Sequence, residues 1–187
     1  MVSPKENQQV GPLRGLGSTE FVVMMASLMS ITALSIDTML PALPHIGEEL
    51  HVADPNDRQM IITIFLIGLG LGSLLYGPLS DRFGRRPVLM VAAALQLLST
   101  FICVIAPSFD ILLIARLIAG LSIASGRVVA VSIVRDCFHG DAMARIMSLV
   151  MVTFIVVPVL APSVGSVVLL VAPWRGIFGL LALFIIL

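Results

Sequence analysis

The sequence is poor in charged residues, in cysteine and in histidine. Only 12% of its 187 residues are Asp, Glu, Lys or Arg, and the formal net charge is zero at pH 7. A chain with no basic excess lacks the electrostatic footprint of a nucleic-acid-binding protein, so no nucleic-acid partner is expected. The two cysteines, Cys103 and Cys137, provide neither a disulfide framework nor a metal-ligand spacing. We therefore expect no metal site and no other cofactor.

The chain is instead rich in hydrophobic residues, arranged in long runs. They make up 58% of the sequence, against about 45–50% in soluble domains. A helix needs about 20 apolar residues to cross a hydrocarbon core of ~30 Å. Five runs of this length are present, at about 19–40, 60–79, 87–106, 111–134 and 146–171, and an incomplete sixth covers 176–187. The sequence predicts an all-α integral membrane protein, with a tail at 1–18 and a transmembrane bundle at 19–187 whose sixth helix is truncated.

Basic residues between the runs predict the orientation, because loops rich in Lys and Arg stay on the cytoplasmic side of a membrane. If the N-terminus lies inside, the inner segments hold seven basic residues and the outer segments hold two, Arg58 and Arg175. We therefore expect a multi-pass protein whose N-terminal tail is cytoplasmic.

The stretch GPLSDRFGRRP, residues 77–87, places four charged residues between two apolar runs. Three arginines alone would only hold this loop in the cytoplasm, but its other residues indicate more. Gly77 allows a close backbone approach or a positive φ, and Gly84 can end a helical turn in a left-handed conformation. Asp81 and Arg85 are four residues apart, a spacing that allows pairing on one helical turn. The pattern indicates a rigid, self-paired hinge.

Three ionisable side chains lie inside the runs: Asp37, Arg116 and Arg127. Each costs at least about 2.5–3.5 kcal/mol at the centre of a membrane helix, so each should face protein or a water-filled cavity, and pair. Asp37 and Arg116 both fall in the outer half of the membrane, where we expect them to pair and to couple protons to substrate. Arg127 follows Arg116 by nearly three helical turns, on the same face, and is a candidate cavity residue.

Each of these charges also has a simpler interpretation. Asp37 can be a helix-end carboxylate that reaches the outer surface, and Arg116 can anchor to lipid headgroups. Arg127 can be satisfied by neighbouring backbone carbonyls.

Small residues and prolines mark other positions in the runs. In the first run, four residues at helical spacing form a stripe along one face: Ala26, Ser30, Ala33 and Asp37. Small residues in such a stripe either line a cavity or let helices pack closely. Gly68 and Gly72 form a G-x-x-x-G pair, for which we expect helix packing. Pro158 and Pro162 interrupt backbone hydrogen bonds in the fifth run and indicate a bend.

The charged turn resembles the signature loop of major facilitator superfamily transporters, G-x-L-x-D-R-x-G-R-R/K. All seven fixed positions match: Gly77, Leu79, Asp81, Arg82, Gly84, Arg85 and Arg86. The resemblance implies that this turn is a gating loop, whose aspartate reaches a helix end in the other half of the transporter.

Other stretches resemble the Bcr/CflA group of drug:proton antiporters within that superfamily. They are SIDTMLPALPHI at 35–46, ARLIAGLSIASG at 115–126, VRDCF at 134–138, APSVGS at 161–166 and WRGIF at 174–178. Arg116 and Gly120 match the fourth-helix motif, and Pro162 and Gly165 match the fifth-helix motif. The sequence departs from the usual pattern at Met39, Ala119 and Ser166.

The resemblance implies that residues 20–187 are the first half of a twelve-helix secondary transporter. Such a protein exports small drugs or related compounds across the bacterial cytoplasmic (inner) membrane in exchange for protons. Its partners are the small-molecule substrate, protons, the lipid bilayer and the missing C-terminal half. The alternatives are a metabolite transporter of the same fold and an inactive half-transporter fragment. An enzyme is not expected, because His45, His51 and His139 lie in loops on opposite sides of the membrane.

Overall fold

A computed structural model of the chain describes residues 18–186. Residues 1–17, most of the predicted tail, and Leu187, the end of the sixth run, lie outside the described residues. The described chain consists of helices and their links. The helices are α1 (Ser18–Asp37), α2 (Leu43–Glu49), α3 (Pro55–Arg58), α4 (Met60–Phe83), α5 (Arg85–Ile105), α6 (Phe109–Cys137), α7 (Gly140–Val171) and α8 (Arg175–Ile186), with a 3-10 turn at Leu40–Ala42.

Five helical stretches of residues 18–186 are long and apolar enough to cross a bilayer. They are Thr19–Glu49, Pro55–Phe83, Arg85–Ile105, Phe109–Cys137 and Gly140–Val171. The apolar helix α8 is shorter, at 12 residues. The prediction of an all-α membrane fold is therefore confirmed.

The helix ends differ most from the predicted spans at the charged turn. The sequence predicts that the second span ends near residue 79, but α4 continues through Pro78 to Phe83. Only Gly84 separates α4 from α5, and its φ of 84° and ψ of 156° lie in a region that is essentially restricted to glycine. The hinge predicted for residues 77–87 is therefore a single residue between two helices.

Helix α6 is the central helix of the bundle and packs most extensively on α4 and then on α5. Between α4 and α6 the two backbones touch, because glycines of both helices face each other. An added Cβ would approach a backbone atom of the facing helix to less than 3.0 Å at Gly68, Gly72 and Gly120. Membrane helices gain little from burying apolar area against each other, so close backbone packing of this kind holds them together.

Helix α7 packs along α1 and meets it at the end of α1. An added Cβ at Gly165 would lie less than 3.0 Å from the backbone oxygen of Thr38. Pro158 and Pro162 lie inside α7, which continues as one helix on both sides of them. Each proline lacks the N–H that would bond to the fourth preceding carbonyl, so α7 carries two missing backbone hydrogen bonds in its middle.

Large apolar side chains cover much of the outer surface of the bundle. On α7 alone, Ile155, Val159, Val167 and Leu170 are all exposed. A contiguous apolar surface of this kind is unfavourable in water and suits a bilayer or a protein partner. The surface therefore agrees with insertion of these helices into a membrane.

Candidate functional site

Arg116 is the one charged side chain that the described residues bury, with an exposed fraction of 1%. Its Nη2 donates a hydrogen bond of 2.9 Å to the backbone oxygen of Ser35. Its guanidinium carbon lies 4.2 Å from the ring centroid of Phe65 and 5.9 Å from that of Phe178. Its Nε also donates a longer hydrogen bond, of 3.5 Å, to the backbone oxygen of Ile61 on α4. Two aromatic faces and two carbonyls thus surround a cation that has no carboxylate partner among residues 18–186.

The Ser35 carbonyl is available because α1 ends at Asp37. The last four carbonyls of a helix have no partner within it. Here the backbone N–H of Thr38 bonds to Leu34 and that of Met39 to Ile36, while Arg116 bonds to Ser35. A cation also complements the partial negative charge at a helix C-terminus. Arg116 on α6 is therefore a cap for α1, supplied from another helix.

Asp37 is the last residue of α1 and is half-buried. Its carboxylate has no ion pair or hydrogen bond within the described range, so the expected Asp37–Arg116 pair is not formed. Two residues separate Asp37 from Ser35, which places them about 200° apart around the helix. The Asp37 side chain therefore projects from roughly the opposite face of α1 to the Ser35 side chain.

The predicted stripe on α1 is buried, but only part of it lines a cavity. Ala26 and Ser30 line a groove of about 360 Å³ between α1 and α7, and Phe184 of α8 also lines it. Ala33 is buried outside that groove. The Ser30 hydroxyl is buried and has no hydrogen-bond partner among the described residues.

Arg127 differs from Arg116 in its surroundings, although the sequence places both on one face of α6. Arg116 is buried, whereas Arg127 is exposed. One turn before Arg127, Ile123 packs in a cluster with Phe65. No contact from residues 18–186 satisfies the guanidinium of Arg127. The alternative in which neighbouring carbonyls satisfy an arginine describes Arg116, not Arg127.

The charged turn is tied to the rest of the bundle by Arg85. Its Nη2 lies 2.5 Å from a carboxylate oxygen of Asp136, at the end of α6. The expected Asp81–Arg85 pair is absent, because the break at Gly84 puts the two residues on different helices and the four-residue spacing no longer brings them together. Asp81 is exposed and has no partner in the described chain.

Most of the remaining residues of the turn are exposed, although Ser80 is buried. Arg82 and Arg86 are exposed, and the guanidinium of Arg82 lies 5.3 Å from the ring centroid of Phe83. Gly77 is helical, and an added Cβ there would meet no described atom within 4 Å. The close approach or positive φ expected at Gly77 is therefore wrong.

The structure also contains a cluster that the sequence did not reveal. Trp174 Nε1 donates a hydrogen bond of 2.5 Å to Glu49, and Arg175 forms an ion pair with the same carboxylate. Arg175 also donates a 3.0 Å hydrogen bond to the backbone oxygen of Ala106. More than 120 residues separate Glu49 from its partners, so no local spacing could have predicted these contacts.

A bundle of apolar helices with a buried cation at its centre and free charges at its ends defines a multi-pass helical membrane protein. The sequence model of the Major Facilitator Superfamily matches residues 24–187. The chain therefore belongs to this superfamily of transporters, which is not a family of enzymes. This confirms the superfamily resemblance carried by the charged turn.

Three relatives show the range of similarity. The chain is 36% identical over 160 residues to the uncharacterized MFS-type transporter YdgK of Bacillus subtilis, covering 84% of this chain and 40% of that protein. It is 31% identical to the multidrug resistance protein MdtL of Klebsiella pneumoniae, covering 86% and 41%. It is 29% identical to MdtL of Escherichia coli K12, covering 88% and 42%. The chain thus spans about two fifths of the length of these curated relatives.

Proposed function

We propose that this chain forms the N-terminal half of a Bcr/CflA-type antiporter. The complete protein exports small drugs or related compounds across the bacterial cytoplasmic membrane and takes up protons in exchange. The observation that carries the proposal is the end of α1, where the unpaired carboxylate of Asp37 lies two residues from the carbonyl that buried Arg116 caps. The name of the MdtL relatives supports drugs as the substrate class.

Asp37 is the proton-binding group in this proposal. It is half-buried and lacks a partner in the described chain, so nothing there competes with a proton for its carboxylate. Binding of a proton removes a negative charge from the helix end that Arg116 holds against α6. The change in charge alters the balance between two packings of α1, and this is how a proton site is coupled to a substrate site.

The substrate site lies along α1, between α6 and α7, in this proposal. The groove lined by Ala26 and Ser30 offers an apolar surface above the buried, unpaired hydroxyl of Ser30, and Arg127 adds an exposed cation on α6. The missing C-terminal half closes this site from the other side. Transport then follows from rocking one helical bundle against the other.

The charged turn is the gating element. Arg85 holds the start of α5 to the end of α6 through Asp136, which leaves Asp81 free to bind outside the described chain. We assign the partner of Asp81 to a helix end in the C-terminal half. The turn then lies on the cytoplasmic side, together with the N-terminal tail.

The test is Asp37→Asn in the complete protein. Everted membrane vesicles are energised to build a pH gradient, drugs are added, and proton release through the transporter is followed with a pH-sensitive dye. We expect Asp37→Asn to abolish drug-induced proton release. Asp57→Asn, a matched change of an exposed carboxylate on α3, should leave it intact. Undiminished release by Asp37→Asn would rule out this residue as the coupling group.

Transport of a natural metabolite is the second candidate function. YdgK, at 36% identity, is named as a transporter without a substrate. A panel of drugs and of cellular metabolites, tested for proton release in the same vesicles, separates the two functions.

A further inference from the structure

The end of α2 and the start of α8, which have no role in the proposed function, are in contact with each other. We call Glu49, Trp174 and Arg175 the latch. Glu49 lies at the end of α2, Trp174 directly before α8, and Arg175 at the first position of α8. Since Arg175 also bonds to the Ala106 carbonyl at the end of α5, the latch joins α2, α5 and α8.

The latch is more than a surface ion pair. Trp174 is buried, with an exposed fraction of 2%, and its ring lies under the Arg175 guanidinium at 4.2 Å. One carboxylate, that of Glu49, accepts hydrogen bonds from both neighbouring side chains. Glu49 therefore holds both residues at the start of α8.

Aromatic contacts lead from the latch to Arg116. The rings of Trp174 and Phe178 meet edge to face, with their centroids 6.0 Å apart and an angle of 79° between their planes. Phe178 is buried, and its centroid lies 5.9 Å from the guanidinium carbon of Arg116. Phe178 follows Trp174 by about one helical turn, so a shift at the start of α8 moves this ring relative to Arg116.

Space for movement exists beside the latch. A cavity of about 440 Å³ separates α2 from the link between α7 and α8, and His45, Glu48, Pro173 and two latch residues line it. If the bonds between Glu49 and its partners break, the Glu49 side chain can move into this cavity without displacing packed side chains.

We propose that the latch positions Phe178 against Arg116 and thereby holds the guanidinium on the Ser35 carbonyl, away from Asp37. Opening the latch withdraws Phe178 and releases Arg116 toward Asp37. The latch residues and Phe178 are positioning residues in this scheme. The inference rests on the proposed coupling role of Asp37 and Arg116.

The first test uses Trp174, the one tryptophan in these 187 residues. In the complete protein, any tryptophan beyond these residues is replaced by phenylalanine, so that Trp174 alone fluoresces. We expect Arg116→Lys to shift the emission of Trp174, because Phe178 links the two. The shift should disappear when Phe178→Leu is also present.

Phe21→Leu is the matched control. Phe21 is also fully buried and makes an edge contact with Phe138, at 5.4 Å between centroids, but it packs in a separate cluster with α6 and α7. In the Phe21→Leu background, Arg116→Lys should still shift the emission. Two results overturn the proposal. In one, Arg116→Lys alone leaves the emission of Trp174 unchanged; in the other, Arg116→Lys still shifts that emission when Phe178→Leu is present.

The second test is a double-mutant cycle on proton-driven transport. Glu49→Gln should lower the transport rate about fivefold, in line with the coupling of residues that share one contact network. When Arg116→Lys is already present, Glu49→Gln should not lower the transport rate further. If the double variant instead shows the product of the two single reductions, the latch and Arg116 act independently and the proposal is contradicted. If the complete protein transports none of the compounds, the proposed function fails, and the emission of Trp174 still decides on the latch.

Discussion

The packing of α4 on α6 can be tested with two glycines of α4. One faces the backbone of α6 and the other faces open space. Gly68 is buried against α6, and an added Cβ would lie less than 3.0 Å from the carbonyl oxygen of Leu117. Gly70, two residues later, is exposed, and an added Cβ would meet no described atom within 4 Å. The same change, glycine to alanine, therefore has opposite consequences at these positions.

The magnitude follows from two effects. Replacing glycine by alanine inside a helix stabilises by roughly 0.5–1 kcal/mol, because glycine loses more conformational freedom on folding. This effect is the same at both positions. At Gly68 the new methyl group meets backbone atoms of α6, so two helices must separate, and overpacking of this kind costs typically about 1–3 kcal/mol. The difference in free energy of unfolding between the two variants isolates that packing cost.

The assay is unfolding of the complete protein in detergent micelles by a denaturing detergent, followed by circular dichroism. We expect Gly70→Ala to be at least as stable as the starting protein, and Gly68→Ala to be less stable than Gly70→Ala by about 1–3 kcal/mol. If the two variants agree within about 0.5 kcal/mol, the usual error of such comparisons, the backbones of α4 and α6 are not in contact at Gly68.

Two further predictions concern the charged turn and the orientation. Gly84→Ala should destabilise the protein by about 1–3 kcal/mol in the same unfolding assay, because the φ of 84° and ψ of 156° at this position suit glycine alone. The control is Gly77→Ala, which should not destabilise the protein because position 77 is helical and has open space for a Cβ. The orientation is tested in intact cells, with Cys103 and Cys137 replaced by serine. A thiol reagent that cannot cross the membrane should label Asp110→Cys and not Arg86→Cys. Both positions are exposed, and the proposed topology puts them on opposite sides of the membrane. Labelling of Arg86→Cys alone would invert that topology.

The existence of the membrane helices could be predicted from the sequence, because it depends only on the length and composition of local segments. The position of a residue along its helix could also be predicted, since it follows from its count within the apolar run. The direction in which a side chain points could not. Asp37 and Arg116 were both expected in the outer half, but their pairing also depends on rotation about each helix axis, and no ion pair forms between them in the described chain.

In the charged turn, too, the sequence predicted the local backbone but not the side-chain pairing. Gly84 was expected to end a helical turn, and its positive φ does so. The pairing of Asp81 with Arg85 was expected from a rule that holds within one helix, and Gly84 breaks the helix between them. The true partner of Arg85 is Asp136, 51 residues further along. Contacts of that kind depend on the tertiary fold.

The cap that Arg116 places on α1 has a consequence for how the chain is made. The donor and the acceptor of that hydrogen bond are 81 residues apart. At about 5–20 residues per second, a ribosome needs roughly 4–16 s to synthesise the segment between them. During that interval α1 is already made, but its end lacks the group that completes it. The first helix to enter the membrane therefore gains its final C-terminus only after α6 has arrived.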